Sequence, residues 1–169
     1  MSNITREIWI DASKEDVWAA LADFGNIYRF NPSVPRSYST NGKPSGLGAA
    51  RHCELNIQGA SVEERIIGWE DGKMMRVEII GGEKTPPWKN PVAELSVQEH
   101  QDGTLVRGAF NYQMKYGPVG ALMDRFMVQP QFGKAFGGIL AGLKHYMETG
   151  EQVHGSQGLP FDQVILSPA

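Results

Sequence analysis

Five short turn signals cut the middle of this chain into pieces: Asn41-Gly42, Gln58-Gly59, Asp71-Gly72, Gly81-Gly82 and Asp102-Gly103. Glycine tolerates the positive φ that tight turns require, and an Asp-Gly pair between strand-like runs marks a hairpin. The intervals read as strands over 36–40, 49–56, 60–69, 73–80, 92–100 and 104–114. Connections this short make consecutive strands antiparallel neighbours.

The flanks add one strand and the helices. Residues 4–11 alternate Ile4, Arg6, Ile8 and Ile10 against Thr5, Glu7 and Trp9, a strand period. Ser13 then offers an N-cap, with Asp16 as its capping-box partner. Val17, Trp18, Leu21 and Phe24 follow at helical spacing; Gly25-Asn26 interrupts, and a second short helix ends at Asn31-Pro32. Beyond Gly117-Pro118, Val119, Leu122, Met123 and Phe126 start another helical pattern. Phe132, Phe136, Leu140, Leu143 and Met147 continue it on one face, and Gly150 stops it. Proline cannot supply an amide donor, so Pro130 predicts a helix divided at that point, with the part before it a mobile lid.

The expected fold class is α+β: a helix-grip arrangement with a curved antiparallel sheet of six to seven strands around a long C-terminal helix, and two short helices after the first strand. Residues 1–150 read as one ligand-binding domain and 151–169 as a C-terminal tail, partly disordered. One helix cannot fill a strongly curved sheet, so a cavity between them is expected.

Composition narrows the function. At 169 residues with a net charge of -3, the chain offers no broad basic surface for nucleic acid or anionic lipid. No segment reaches the ~20 apolar residues of a membrane span, so no integral membrane association is expected. The single cysteine, Cys53, excludes an internal disulfide, and a cytoplasmic location follows as an expectation. His52, His100, His145 and His154 lack metal-ligand spacing, and Gly46 and Gly48 do not complete a phosphate or dinucleotide loop. No metal and no cofactor is expected.

The stretch IDASKEDVWAALADFGNIYRFNP (10–32), followed by GAAR (48–51), Glu64-Arg65-Ile66, Gly81-Gly82-Glu83, Gly103-Thr104-Leu105-Val106 and the last helix, resembles the SRPBCC superfamily. That superfamily holds the START lipid-transfer domains, the birch pollen allergen, polyketide cyclase/dehydrase-type proteins and the plant abscisic-acid receptors. The receptor branch implies pocket positions at Arg36, Cys53, Leu55, Glu64, Val77, Ile79, Phe110, Phe132, Phe136 and Leu140. Its GGE latch matches Gly81-Gly82-Glu83, after which Lys84-Thr85-Pro86-Pro87-Trp88 departs from the receptor pattern. Tyr112 shares strand parity with Phe110 and adds a hydroxyl.

Arg36 is the expected polar anchor, with Glu64 holding it, because a charge in an apolar cavity must be paired. Arg51 reads as a pocket-mouth or exposed strand-end residue, and Cys53 as a small core hydrophobe. Trp88 could plug the mouth from the loop 81–91, or simply be exposed. These readings point to binding or transport of a hydrophobic small molecule such as a lipid, polyketide or aromatic acid. A polyketide cyclase/dehydratase-like enzyme, with catalytic residues unassigned, is the alternative, and a stress-associated protein-interaction module comes third. A homodimer is left open.

Overall fold

The computed structural model describes residues 2–166. Eight strands make one antiparallel sheet: β1 (Ser2–Ile10), β2 (Arg36–Ser39), β3 (Ala50–Glu54), β4 (Ser61–Glu70), β5 (Met74–Gly81), β6 (Trp88–His100), β7 (Gly103–Met114) and β8 (Ile165–Leu166). Their order is β2-β3-β4-β5-β6-β7-β1-β8. The helices are α1 (Lys14–Ala22), α2 (Gly117–Met123) and α3 (Gln129–Thr149), with a 3-10 stretch at Phe24–Arg29 and a π turn at Asp124–Val128.

Strand alternation sends one set of side chains toward α3. On β7 the inner set is Thr104, Val106, Gly108, Phe110 and Tyr112, all buried; on β5 it includes Met75 and Val77. α3 answers with Phe136, Leu140 and Leu143. Each such large side chain removed from water contributes about 1.5–3 kcal/mol. Ser13 caps α1 as its spacing implies: its Oγ accepts from the Asp16 amide at 3.1 Å. Gly150, at φ 75°, ends α3 in the left-handed conformation.

Two glycines let helix and sheet approach closely. A Cβ at Gly108 would lie 2.5 Å from the Phe136 ring, and one at Gly142 would lie 1.9 Å from the Phe30 carbonyl oxygen. Gly142 thus seats α3 against the chain leaving the 3-10 stretch.

Three expectations need correction. The region before Pro130 is not cut off there: the backbone stays right-handed helical at Met123, Asp124, Val128 and Gln129. The change is in the hydrogen-bond ladder, which widens to π spacing just before the proline. Pro130 has no amide to donate, and its ring crowds the preceding turn; the wider turn accommodates both. The sheet also has eight strands rather than six or seven, because the tail joins it. The Val153 amide bonds the Arg29 carbonyl at 2.9 Å, and β8 pairs with Arg6 and Glu7 of β1. Residues 167–169 of the expected tail lie outside the described residues. Finally, β6 begins at Trp88 rather than Val92. The ladder slips between Lys89 and Val92, where Asn90 takes φ 49° and Pro91 lacks a donor.

Candidate functional site

The slip in β6 changes what Trp88 does. Past it, Ala93, Leu95 and Val97 face inward with odd parity; before it, Trp88 faces inward with even parity, opposite Met114 of β7. Trp88 is buried, and its ring stands edge-on to Phe132 at 4.8 Å and to Phe110 at 5.6 Å. Phe110 stacks in turn near Phe136 at 6.2 Å. The hollow expected between sheet and helix is therefore occupied by these rings. Two clefts, of about 420 and 840 Å³, open on the outside; the first lies between α1, the 3-10 stretch and the end of α3.

One polar atom in this aromatic interior has no partner. The Trp88 indole Nε1 is buried without a hydrogen bond among the described residues. An indole N–H usually finds an acceptor when buried, and leaving it without one costs about 1–3 kcal/mol.

The expected site residues divide by strand parity. Cys53, Leu55, Glu64, Val77, Ile79, Phe110, Tyr112, Phe132, Phe136 and Leu140 all belong to the core or pack against it, except that Glu64 enters through its ion pair. Arg36 does not join them. It projects outward, 69% of its side chain exposed, and pairs with Glu54 at 3.1 Å. The physical reason is the pleat: Ser37 is the buried residue at the start of β2, so its neighbours Arg36 and Tyr38 turn away. Arg36→Leu is accordingly expected to change stability by less than about 1 kcal/mol in urea unfolding, as exposed pairs generally do.

The inward arginine is Arg51, read from sequence as a mouth or strand-end residue. It is 6% exposed. Its Nε donates to Glu64 Oε2 at 2.6 Å, one terminal nitrogen donates to the Phe24 carbonyl at 2.8 Å, and the guanidinium lies over the Phe24 ring at 3.9 Å. Burial opposes its charge, and Glu64 together with Cys53 more than offsets this. Cys53, on the same strand face, is pushed well above the ordinary thiol range by burial, which makes it a core thiol and not a nucleophile.

A second polar cluster ties the helical region to the sheet. Asp124 in the π turn accepts from the Tyr112 hydroxyl at 2.5 Å, from the Ser2 hydroxyl at 2.5 Å and from Gln129 Nε2 at 3.0 Å. Burial alone would raise its pKa; the three donors outweigh that and hold the carboxyl below its ordinary value. The same contact and burial push the Tyr112 hydroxyl up, so it keeps its proton and acts as a donor. Sequence reading missed Asp124, because its inward aim comes from the π turn, which leaves no compositional mark.

Asp124→Asn should cost about 1.5–3 kcal/mol, the worth of hydrogen bonds to a buried charge. The pH dependence follows from the sign of the shift. A carboxyl with a lowered folded-state pKa contributes fully above its unfolded value, near pH 4, and loses that contribution as pH falls through the folded one. Urea titrations of wild type and variant should converge at low pH and diverge above about pH 5.

Around this anchor the rest of α2 and the π turn is sparsely held. Gly120, Asp124 and Val128 face inward, while Val119, Leu122, Met123, Phe126 and Met127 are exposed.

Comparison with known proteins fits this architecture. Among solved structures, XoxI from Bacillus cereus superposes with a TM-score of 0.70 at 20% identity, covering 88% of this chain and 97% of that one. Ara h 8.0201 gives 0.67 at 13%, covering 88% and 98%. DynU16, a protein of the dynemicin biosynthetic locus, gives 0.65 at 13%, covering 90% of this chain and 49% of its own. At such identities the likeness shows the fold. No curated protein matches the chain. A family model described as polyketide cyclase / dehydrase and lipid transport matches residues 1–148. With the helix-grip sheet, the long C-terminal helix and that match over most of its length, the chain belongs to the polyketide cyclase/dehydrase and lipid-transport family.

Proposed function

We propose that the chain binds an apolar small molecule carrying a hydrogen-bond acceptor, such as a carbonyl or a weak acid, between the sheet and α3. The observation that carries this reading is the buried, unpartnered Trp88 N–H among the rings of Phe110 and Phe132. Apolar walls with one placed donor are the usual make-up of a small-molecule site. The family's description supports the same class of ligand. In this reading α2, the π turn and the first turn of α3 swing outward, carrying Phe132 away from Trp88, and the ligand takes the space between them. Tyr112, which keeps its proton, is a second donor once Asp124 moves away with the π turn.

The experiment is a titration with cis-parinaric acid, whose fluorescence rises in apolar surroundings and whose carboxyl supplies the acceptor. Trp88→Phe keeps an aromatic ring and removes the donor. A neutral hydrogen bond is worth about 1 kcal/mol, so the variant should bind roughly five- to tenfold more weakly. Equal affinity removes Trp88 from the site, and no binding by the folded wild type overturns the reading.

A further inference from the structure

The helical pattern over 116–127 has its apolar face pointing the wrong way for a core helix. Val119, Leu122, Met123, Phe126 and Met127 recur at the spacing of one helix face, yet Val119 is 66%, Leu122 62% and Phe126 68% exposed. The opposite face, turned to the protein, is Gly120, Asp124 and Val128. Monomeric proteins rarely leave so contiguous an apolar stripe in water without a partner.

The surroundings of the stripe are basic, although the chain as a whole carries -3. The β3–β4 turn, the β5–β6 loop and the start of α2 meet at one end of the sheet. Lys84 Nζ donates to the Gln58 carbonyl, and the Lys115 amide donates to the Pro87 carbonyl at 2.9 Å. This end carries Lys84, Lys89, Lys115 and Arg125, with Lys134 on the next turns of α3, all exposed. Lys89, Lys115, Arg125 and Lys134 have no carboxylate partner among the described residues. Of the acids there, Glu83 is exposed, Glu54 and Glu63 are half-buried and paired with Arg36 and His52, and Asp124 is buried with its charge taken up by Tyr112, Ser2 and Gln129. Ile57, on the β3–β4 turn, adds another exposed aliphatic at 66%.

We propose that this end is a peripheral docking surface for an anionic lipid bilayer, with the 116–127 stripe lying in the interface and the lysines and Arg125 above it. Exposed apolar residues flanked by basic ones are the make-up of an interfacial helix. No helix among the described residues is long and apolar enough to cross a membrane, so the contact is with the surface. A second copy fits less well: a two-fold interface sets each patch against itself and brings the same cations face to face. Docking places the membrane beside α2, the segment that the ligand reading moves, but the inference stands apart from that reading.

The test is cosedimentation of the full chain, without added ligand, with vesicles of phosphatidylcholine alone or of phosphatidylcholine with 30% phosphatidylglycerol. Binding is expected to the anionic vesicles, weakening as salt rises. Each basic residue near such a surface contributes roughly fivefold, so Lys115→Gln with Arg125→Gln should lose about 25-fold. Leu122→Ser with Phe126→Ser should lose at least tenfold, and Lys43→Gln at the far edge should lose nothing. All these positions are exposed, and circular dichroism verifies folding. Absence of binding to anionic vesicles, or unchanged binding by both double variants, overturns the proposal. So does a dimer in sedimentation equilibrium that Phe126→Ser dissociates, which would make the stripe a self-interface. The parinaric acid titration, run in solution without vesicles, can fail or succeed independently.

Discussion

Replacing Glu64 by leucine is expected to destabilise the fold by about 3–5 kcal/mol, the usual result of stripping one partner from a buried ion pair. Arg51 would keep its charge, 6% exposed, with the Phe24 carbonyl and ring in place of a carboxylate. For a domain of this size that corresponds to a fall in Tm of roughly 6–20 °C. The double variant Glu64→Leu with Arg51→Met should recover much of the loss, because paired charges replaced together by apolar groups of similar volume are often near neutral. A thermal-unfolding cycle over the four proteins checks both statements. If Glu64→Leu unfolds within a degree of wild type, water must reach Arg51 and the pair is not buried in solution.

Gly142→Ala is the second large effect. The added methyl would stand 1.9 Å from the Phe30 carbonyl oxygen, and a backbone atom cannot rotate aside as a side chain can. Helix α3 must shift away from the 3-10 stretch, loosening Phe30 and the Pro32 contact. Overpacking typically costs 1–3 kcal/mol and here is expected at about 3, against the small gain in helix propensity that Gly→Ala brings elsewhere. Gly150→Ala, with open space around its Cβ but φ 75°, is the contrast: its cost comes from backbone strain alone, about 1 kcal/mol. Urea midpoints in that order support the steric account; equal midpoints contradict it.

The strands were legible because turn chemistry and alternation act locally. Asp71-Gly72 and Asp102-Gly103 sit where the ladders turn, and the inward set on β5 and β7 follows from parity once one residue is placed. Alternation placed Arg51 on the face of Cys53, as the structure has it, but by itself says neither which face is inward nor where the ladder slips. Arg36 and Arg51 are both arginines near strand ends, and which one enters the core depends on the pleat of β2 and β3, fixed by pairings such as Ser37 with Cys53. Trp88 seemed a loop residue because Pro91 breaks the strand signal, yet the bulge there lets the strand continue with reversed parity. The β8 pairing could not be read from two residues, Ile165 and Leu166, whose partner Arg6–Glu7 lies at the other end of the chain.

The π turn has a consequence for the whole helix, which behaves as a screw with one thread out of step. One residue of an α-helix is about 100° of rotation. Extending the α3 spacing backward at the present length, without the wider turn, would carry Leu122 into line with Phe136 and Leu140 and turn Asp124 toward water. The wider turn at Asp124–Val128 rotates everything before it by about that one residue, bringing Asp124 onto Tyr112 and Leu122 out into solvent. Which residues before Phe132 this helix shows to the world is thus decided by a single unit of length. Removing one residue between Asp124 and Val128 would let the turn close to ordinary α spacing with Asp124 still on Tyr112 and Leu122 still in solvent; it is α spacing at the present length that would exchange the helix's oily and polar sides.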